Sequence, residues 1–412
     1  MIDIHCHTLS NGLKIVHHKD ATTQMVALNL LYDVGSRDEE VGRTGLAHLF
    51  EHLMFGGSKN IPNFDSPLQA AGGESNAWTS DDVTNFYDVV PLHNIETAFW
   101  LESDRLNQLA FTDKSLETQR SVVIEEFKQR CLNQPYGDVE HIMRATAYTK
   151  HSYQWPVIGR NIKEIEDVKK ESVKEFFYSH YAPNNLILSV VGNIEFDDVL
   201  RLSEKWFGSI ERRNISPKNI PVEPMQSEAR RISEKRDVPQ NIIYKSYHMC
   251  SRYDDDYQTA DLISDILANG HSSRFYRNLL MRGDIFTEID ASVWGSLDPG
   301  LMLVKGRLQE GVAFEQAEEI INEELQKIIK DSISKHEIEK CVNKFESKEL
   351  FGNLSYLEKA SNLGYYELIG GAEMINDEVS KYRHITPQMV NRVATSIFSE
   401  DNCTTLYYGK DV

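Results

Sequence analysis

Apolar residues change their spacing along the chain, and each change marks an element. Residues 13–18 (Leu-Lys-Ile-Val-His-His) and 25–34 are short apolar runs that predict strands, the first opened by an Asn11-Gly12 turn. From Leu46 the period switches. Leu46, Leu49, Phe50 and Leu53 recur at i, i+3, i+4 and i+7, which predicts an amphipathic helix. Thr44 stands where a cap would start this helix, and Gly56-Gly57 where it would stop. A strand over 84–90 ends at Pro91, residues 92–110 and 114–132 read as two helices, a further helix falls around 166–179, and 186–191 is an apolar strand. Strands and helices mix without regular βαβ alternation, which predicts the α+β class.

The pattern then restarts. Residues 209–229 are polar and carry Pro217, Pro221 and Pro224, the composition of a linker. After it, 241–249 is strand-like and runs into Ser251-Arg252 and acidic residues. The run 28–34 leads into Ser36-Arg37-Asp38 in the same way, 215 residues earlier. A helix follows in each case and ends in glycine, at Gly56 and Gly270. Strand-like stretches at 287–295 and 300–307, helices, and a last strand near 403–408 complete the chain. With 412 residues, this repeat predicts two homologous domains, 1–212 and 233–412, joined by 213–232.

Composition narrows the class. Hydrophobic residues make up 41% and charged residues 26%, as in a globular protein. A net charge of -19 argues against nucleic acid or an anionic membrane surface as partner. Cys6, Cys131, Cys250, Cys341 and Cys403 are scattered and odd in number, so no disulfide framework is expected. The N-terminus lacks a signal pattern and no apolar run reaches membrane-spanning length, so the chain reads as cytoplasmic and bacterial-like. His5-Cys6-His7 resembles a metal cluster, but strand alternation sends Cys6 away from the two histidines and predicts a surface strand. Gly72-Gly73 lacks the Lys-Ser/Thr of a phosphate loop. Asp254-Asp255-Asp256 reads as a solvated loop, and Glu318-Glu319 and Glu323-Glu324 lie on an amphipathic helix that needs no function.

The chemistry concentrates at His48-Leu49-Phe50-Glu51-His52. Four residues return to the same helix face, so both imidazoles reach one point, and Glu51 borders that face. The three lie opposite the Leu46/Leu49/Phe50/Leu53 stripe. Two neutral nitrogens and a neighbouring carboxylate base suit a catalytic zinc, and His-x-x-Glu-His is the inverted order of the commoner zinc motif. The second copy has Ser264-Asp265-Ile266-Leu267 near this place and cannot hold the same metal. A catalytic zinc wants one more protein ligand. The segment Val122-Val123-Ile124-Glu125-Glu126-Phe127 offers it: Leu116, Val123 and Phe127 form a stripe that Glu126 flanks, with Glu125 as the alternative.

These features together resemble the pitrilysin/insulinase family of zinc metallopeptidases. The resemblance includes Gly45-Leu46-Ala47 and Leu53-Met54-Phe55 around the motif, Val122-Val123-Ile124-Glu125-Glu126 downstream, Gly72-Gly73, Asn76-Ala77-Trp78-Thr79 and Pro183-Asn184-Asn185. The length is similar to that of mitochondrial processing peptidase subunits. The resemblance implies two homologous α+β domains, each a mainly antiparallel sheet flanked by helices. It implies zinc held by His48, His52 and Glu126, with Glu51 as general base for the attacking water. Asn76 and Ala77 would bind substrate backbone along a strand edge. It departs from the family at Gln119, where a further glutamate is common, leaving Glu117 nearby. It departs again after Ser272-Ser273-Arg274-Phe275-Tyr276, where the family's substrate-binding Arg and Tyr fall on Leu280 and Thr287 and Arg282 is out of register. The implied assembly is therefore a heterodimer whose paralogue supplies Arg and Tyr, with a homodimer as the alternative. The expected function is zinc endopeptidase action on short or unfolded peptides. The contrasting reading is a non-catalytic or partner-dependent subunit, against which the intact His48, Glu51, His52 and Glu126 set argues.

Overall fold

A computed structural model describes residues 1–410 except Ser216 and Ser332. Two compact units form. The first takes Met1–Arg130, His151–Pro221 and Leu350–Asp377, and the second Cys131–Lys150, Val222–Glu349 and Glu378–Val412.

The first unit is built on a six-stranded sheet in the order β1-β2-β6-β3-β5-β4. Its strands are β1 (His5–Thr8), β2 (Lys14–Lys19), β3 (Met25–Tyr32), β4 (Glu74–Thr79), β5 (Thr84–Pro91) and β6 (Leu186–Gly192). β2 runs parallel to β6 and the other neighbours pair antiparallel. β3 and β6 are buried nearly throughout, as central strands must be, whereas β4 alternates exposed and half-buried positions along the sheet edge. β1 is the expected surface strand: all four of its residues are exposed.

The second unit has a five-stranded sheet in the order β7-β11-β8-β10-β9. These are β7 (Arg230–Lys235), β8 (Ile242–His248), β9 (Phe286–Trp294), β10 (Leu301–Leu308) and β11 (Cys403–Gly409). β7 is parallel to β11 and the rest pair antiparallel. Strand for strand this repeats β2 to β6 in both chain order and sheet order. The two domains are thus homologous in topology, each an α+β unit on a mainly antiparallel sheet, as the repeated pattern predicts.

Helices of the first half are α1 (Leu46–Met54), α2 (Asp65–Ala70), α3 (Ile95–Asn107), α4 (Asp113–Phe127), α5 (Val139–Ala147), α6 (Ile162–Glu166), α7 (Lys170–His180) and α8 (Phe196–Phe207). Those of the second are α9 (Tyr257–Ala268), α10 (Arg274–Asn278), α11 (Phe314–Lys330), α12 (Lys335–Gly352), α13 (Tyr356–Ile369), α14 (Glu378–Arg383) and α15 (Pro387–Ile397). The chain passes between units at Pro221/Val222, inside the 213–232 stretch, but the units are not contiguous halves. α5 belongs to the second unit, where Val139 and Met143 join Ile242, Leu303 and Leu406 in a small core. α13 belongs to the first and packs on β3 and β6. Gly364 permits that approach: a Cβ there would meet Ser189 Oγ at 2.9 Å and Asn29 Nδ2 at 3.2 Å. Each sheet thus takes a cover helix encoded in the opposite half, an exchange that composition along the chain does not reveal.

Candidate metal centre

α1 follows β3 and buries Leu46, Leu49, Phe50 and Leu53, the stripe read from their spacing. Phe50 stacks on Phe176 and Tyr181 at ring separations of 5.4 and 5.2 Å, which fixes the helix from behind. Its start differs from the expectation. The cap is Gly45, with φ 85°, and the Thr44 hydroxyl instead donates to Glu164 Oε2 at 2.7 Å. Glycine is required at 45 on two counts: the left-handed backbone, and the carbonyl oxygen of Ile158 only 3.0 Å from where a Cβ would sit. The free backbone N–H groups of the first turn go to the buried Glu39 carboxylate, which accepts from Gly45 at 2.9 Å and Ala47 at 2.8 Å. Burial pushes the Glu39 carboxyl up to about 8, against those two hydrogen bonds.

Opposite the stripe, α1 faces α4 and β4. His48 Nε2 lies 3.7 Å and His52 Nε2 3.4 Å from Glu126 Oε2. One ligand atom from each of the three lies within 4.8 Å of the others, and among the described residues no other His/Cys/Asp/Glu group meets that condition. A tetrahedral zinc with bonds of about 2.0–2.1 Å spaces its ligands by about 3.4 Å, close to the two histidine–glutamate separations. The two rings stand edge-on, with centroids 4.9 Å apart. Burial pushes the His48 imidazole down to about 4, so at neutral pH it offers a lone pair rather than a charge. Its Nδ1 is buried without a hydrogen-bond partner among the described residues, so no such bond selects the tautomer there. The hydrogen bond with His52 holds Glu126 below the usual carboxylate range. Two nitrogens and an ionised carboxylate fit a zinc ion.

Glu126 is half-buried, while Glu125 is exposed and lies 3.5 Å from Lys128 Nζ, away from the histidines. The second Glu126 oxygen, Oε1, pairs with Arg130 at 2.9 Å. Glu117 is exposed and pairs with Arg120. Glu51 is half-buried beside the group, its carboxyl raised by burial, and its Oε2 accepts from the Thr79 hydroxyl at 2.7 Å. Asn76 and Ala77 sit on β4 opposite Tyr87 and Phe86 of β5. No described strand pairs on the other side of β4. In the second unit, Ser264 and Asp265 lie on α9, the counterpart of α1. Leu280 packs against that unit's core, the Thr287 hydroxyl donates to the Arg307 carbonyl at 3.4 Å, and Arg282 pairs with Asp284 at 3.2 Å.

The roles of three residues at the site escaped the sequence. Arg130 stands four after Glu126, a spacing that would have flagged it. Glu39 precedes a helix start, where acids are favoured. Thr79 carries no local signal, since it meets Glu51 only through the sheet.

Residues 14–160 match the family described as insulinase, peptidase family M16, and residues 167–345 match the one described as the peptidase M16 inactive domain. The chain is 28% identical to the zinc protease PqqE of Helicobacter pylori, over 97% of this chain and 91% of that protein. It is 24% identical to an uncharacterized zinc protease, YmxG, of Bacillus subtilis, over 97% of each. Among solved structures, a protease from Helicobacter pylori superposes with a TM-score of 0.93 at 26% identity, covering 99% of this chain and 100% of that one.

Proposed function

Because the chain belongs to the insulinase family, peptidase family M16, in its short two-domain form, we propose that it is a zinc metalloendopeptidase that hydrolyses peptide bonds in short or unfolded peptides. The observation that carries this reading is the convergence of His48 and His52 on Glu126 Oε2 with Glu51 beside them. His48, His52 and Glu126 would hold the zinc. When bound, the ion supplies Lewis acidity to the scissile carbonyl and makes water a stronger nucleophile. Glu51 accepts a proton from the attacking water and passes it to the leaving amine. Burial raises its carboxyl in the direction that makes it a better base. Main-chain groups at Asn76 and Ala77 hold the peptide as an added strand on β4, which gives affinity with little sequence demand.

The test is bound zinc and cleavage of a quenched peptide library, for wild type and Glu51→Gln. The variant should keep its zinc and lose about 10²- to 10⁴-fold in rate. Zinc-free wild type, or unchanged cleavage by the variant, would defeat the reading. The same assay addresses assembly. With Leu280 and Thr287 where relatives of the family carry Arg and Tyr, we infer dependence on a paralogous partner chain. Cleavage should rise when such a paralogue is added, and full activity of this chain alone excludes that dependence.

A further inference from the structure

Glu51 has two oxygens, and the protein already engages one of them. Oε2 accepts a hydrogen bond of 2.7 Å from the Thr79 hydroxyl. Thr79 is the last residue of β4, three beyond Asn76, and its backbone is held in register against Thr84 of β5. Its side chain is half-buried on the same alternating face as Ala77 and Ser75, the face that α1 packs against. One rigid edge strand therefore carries both the proposed peptide-binding positions and the group that grips the proposed base.

We propose that Thr79 is a positioning residue: its hydroxyl holds Glu51 Oε2, leaves Oε1 as the proton-accepting atom, and ties the orientation of the base to the strand that receives the peptide. This rests on the peptidase reading above. A glutamate side chain rotates freely about three bonds in solution, and a hydrogen bond to a charged group restricts it strongly. The donor comes from a strand rather than a loop, so its position is set by the β4–β5 ladder and not by its own rotamer alone. A hydroxyl suits the place because it donates to an ionised carboxylate without adding charge beside the metal ligands.

The test compares Thr79→Val, Thr79→Ser and Glu51→Gln. Valine keeps the shape and the strand preference while removing the hydroxyl; serine keeps the hydroxyl. Thr79→Val should lose about 10- to 100-fold in kcat with KM and zinc affinity nearly unchanged, while Thr79→Ser recovers to within roughly threefold of wild type. A crystal structure of metal-free Thr79→Val should show the Glu51 carboxylate displaced from its wild-type rotamer, a readout independent of turnover. Wild-type kcat in Thr79→Val, equal losses in the valine and serine variants, or an unmoved Glu51 would each overturn the proposal. Glu51→Gln separates the two levels. If it still cleaves, the base assignment itself fails; if it is dead while Thr79→Val is fully active, only the positioning role fails.

Discussion

Glu318, on α11, provides a quantitative test of what holds the second unit together. Its carboxylate is buried and accepts from Lys245 Nζ on β8 at 2.6 Å, Arg231 Nη1 on β7 at 2.7 Å and the Tyr407 hydroxyl on β11 at 2.5 Å. One carboxylate thus ties a helix to three strands. Lys245 is only 3% exposed, so its ammonium is poorly hydrated if Glu318 is lost. Burial alone would raise the Glu318 carboxyl, but hydrogen bonds from Lys245 and Tyr407 outweigh it and bring it from 4.5 to about 2. At about 1.4 kcal/mol per tenfold, that drop corresponds to about 3 kcal/mol of stability at neutral pH. Breaking a buried pair by neutralising one partner costs about 3–5 kcal/mol by a separate route of reasoning, so Glu318→Gln should lose about 3 kcal/mol. The sign with pH follows from the lowered folded value. Between about 4.5 and 2 the unfolded chain binds the proton and the native state does not, so the contribution is present above about pH 4.5 and fades as pH falls toward about 2. Urea unfolding of wild type and Glu318→Gln should show the full gap near neutral pH and a closing gap in acid. Replacing the two buried charges together, Lys245→Met with Glu318→Leu, should recover part of the loss, because no buried charge is left unpaired and the exposed Arg231 turns to water. A gap below about 1 kcal/mol at neutral pH, or one that does not close in acid, would refute the reasoning.

Two further outcomes are expected. Arg130 pairs with the Glu126 oxygen that faces away from the histidines, so Arg130→Ala should weaken zinc about 10- to 100-fold in a chelator competition, and unchanged affinity would show that the pair does not orient the ligand. Asp88 is fully buried, and burial followed by the charge of Glu102 raises its carboxyl well above the usual range, while Glu102 itself grips the buried Arg105. Burial therefore favours the protonated form of Asp88 in the native state over that in the unfolded chain, so its contribution is present below about pH 4 and declines as pH rises. Stability of Asp88→Asn relative to wild type should grow as pH rises above about 4, and a flat difference would refute the assignment.

Much of this molecule is legible without coordinates, and the boundary is physical. The α1 stripe, the opposed His48-Glu51-His52 face and the strand pattern that repeats after the linker depend on the period of one element, which local sequence states directly. Even the burial of α1 on Leu46, Leu49, Phe50 and Leu53 follows from spacing. Glu318 and Glu324 mark where this stops: amphipathic patterning reads them as ordinary helix acids, yet both are buried and paired, because the partner positions lie on other elements. The Gly45 cap is similar, since Glu39 displaces Thr44 from that task by reaching the helix from a preceding turn. Sequence alone thus determined the helix, its histidines and the doubled α+β plan. Only the tertiary structure decided which carboxylate oxygen meets the histidines, which hydroxyl grips Glu51, and that α5 and α13 each cover the sheet of the opposite half. Periodicity is a property of neighbours along the chain. Those contacts join residues tens to hundreds of positions apart, and they exist only after two elements have packed.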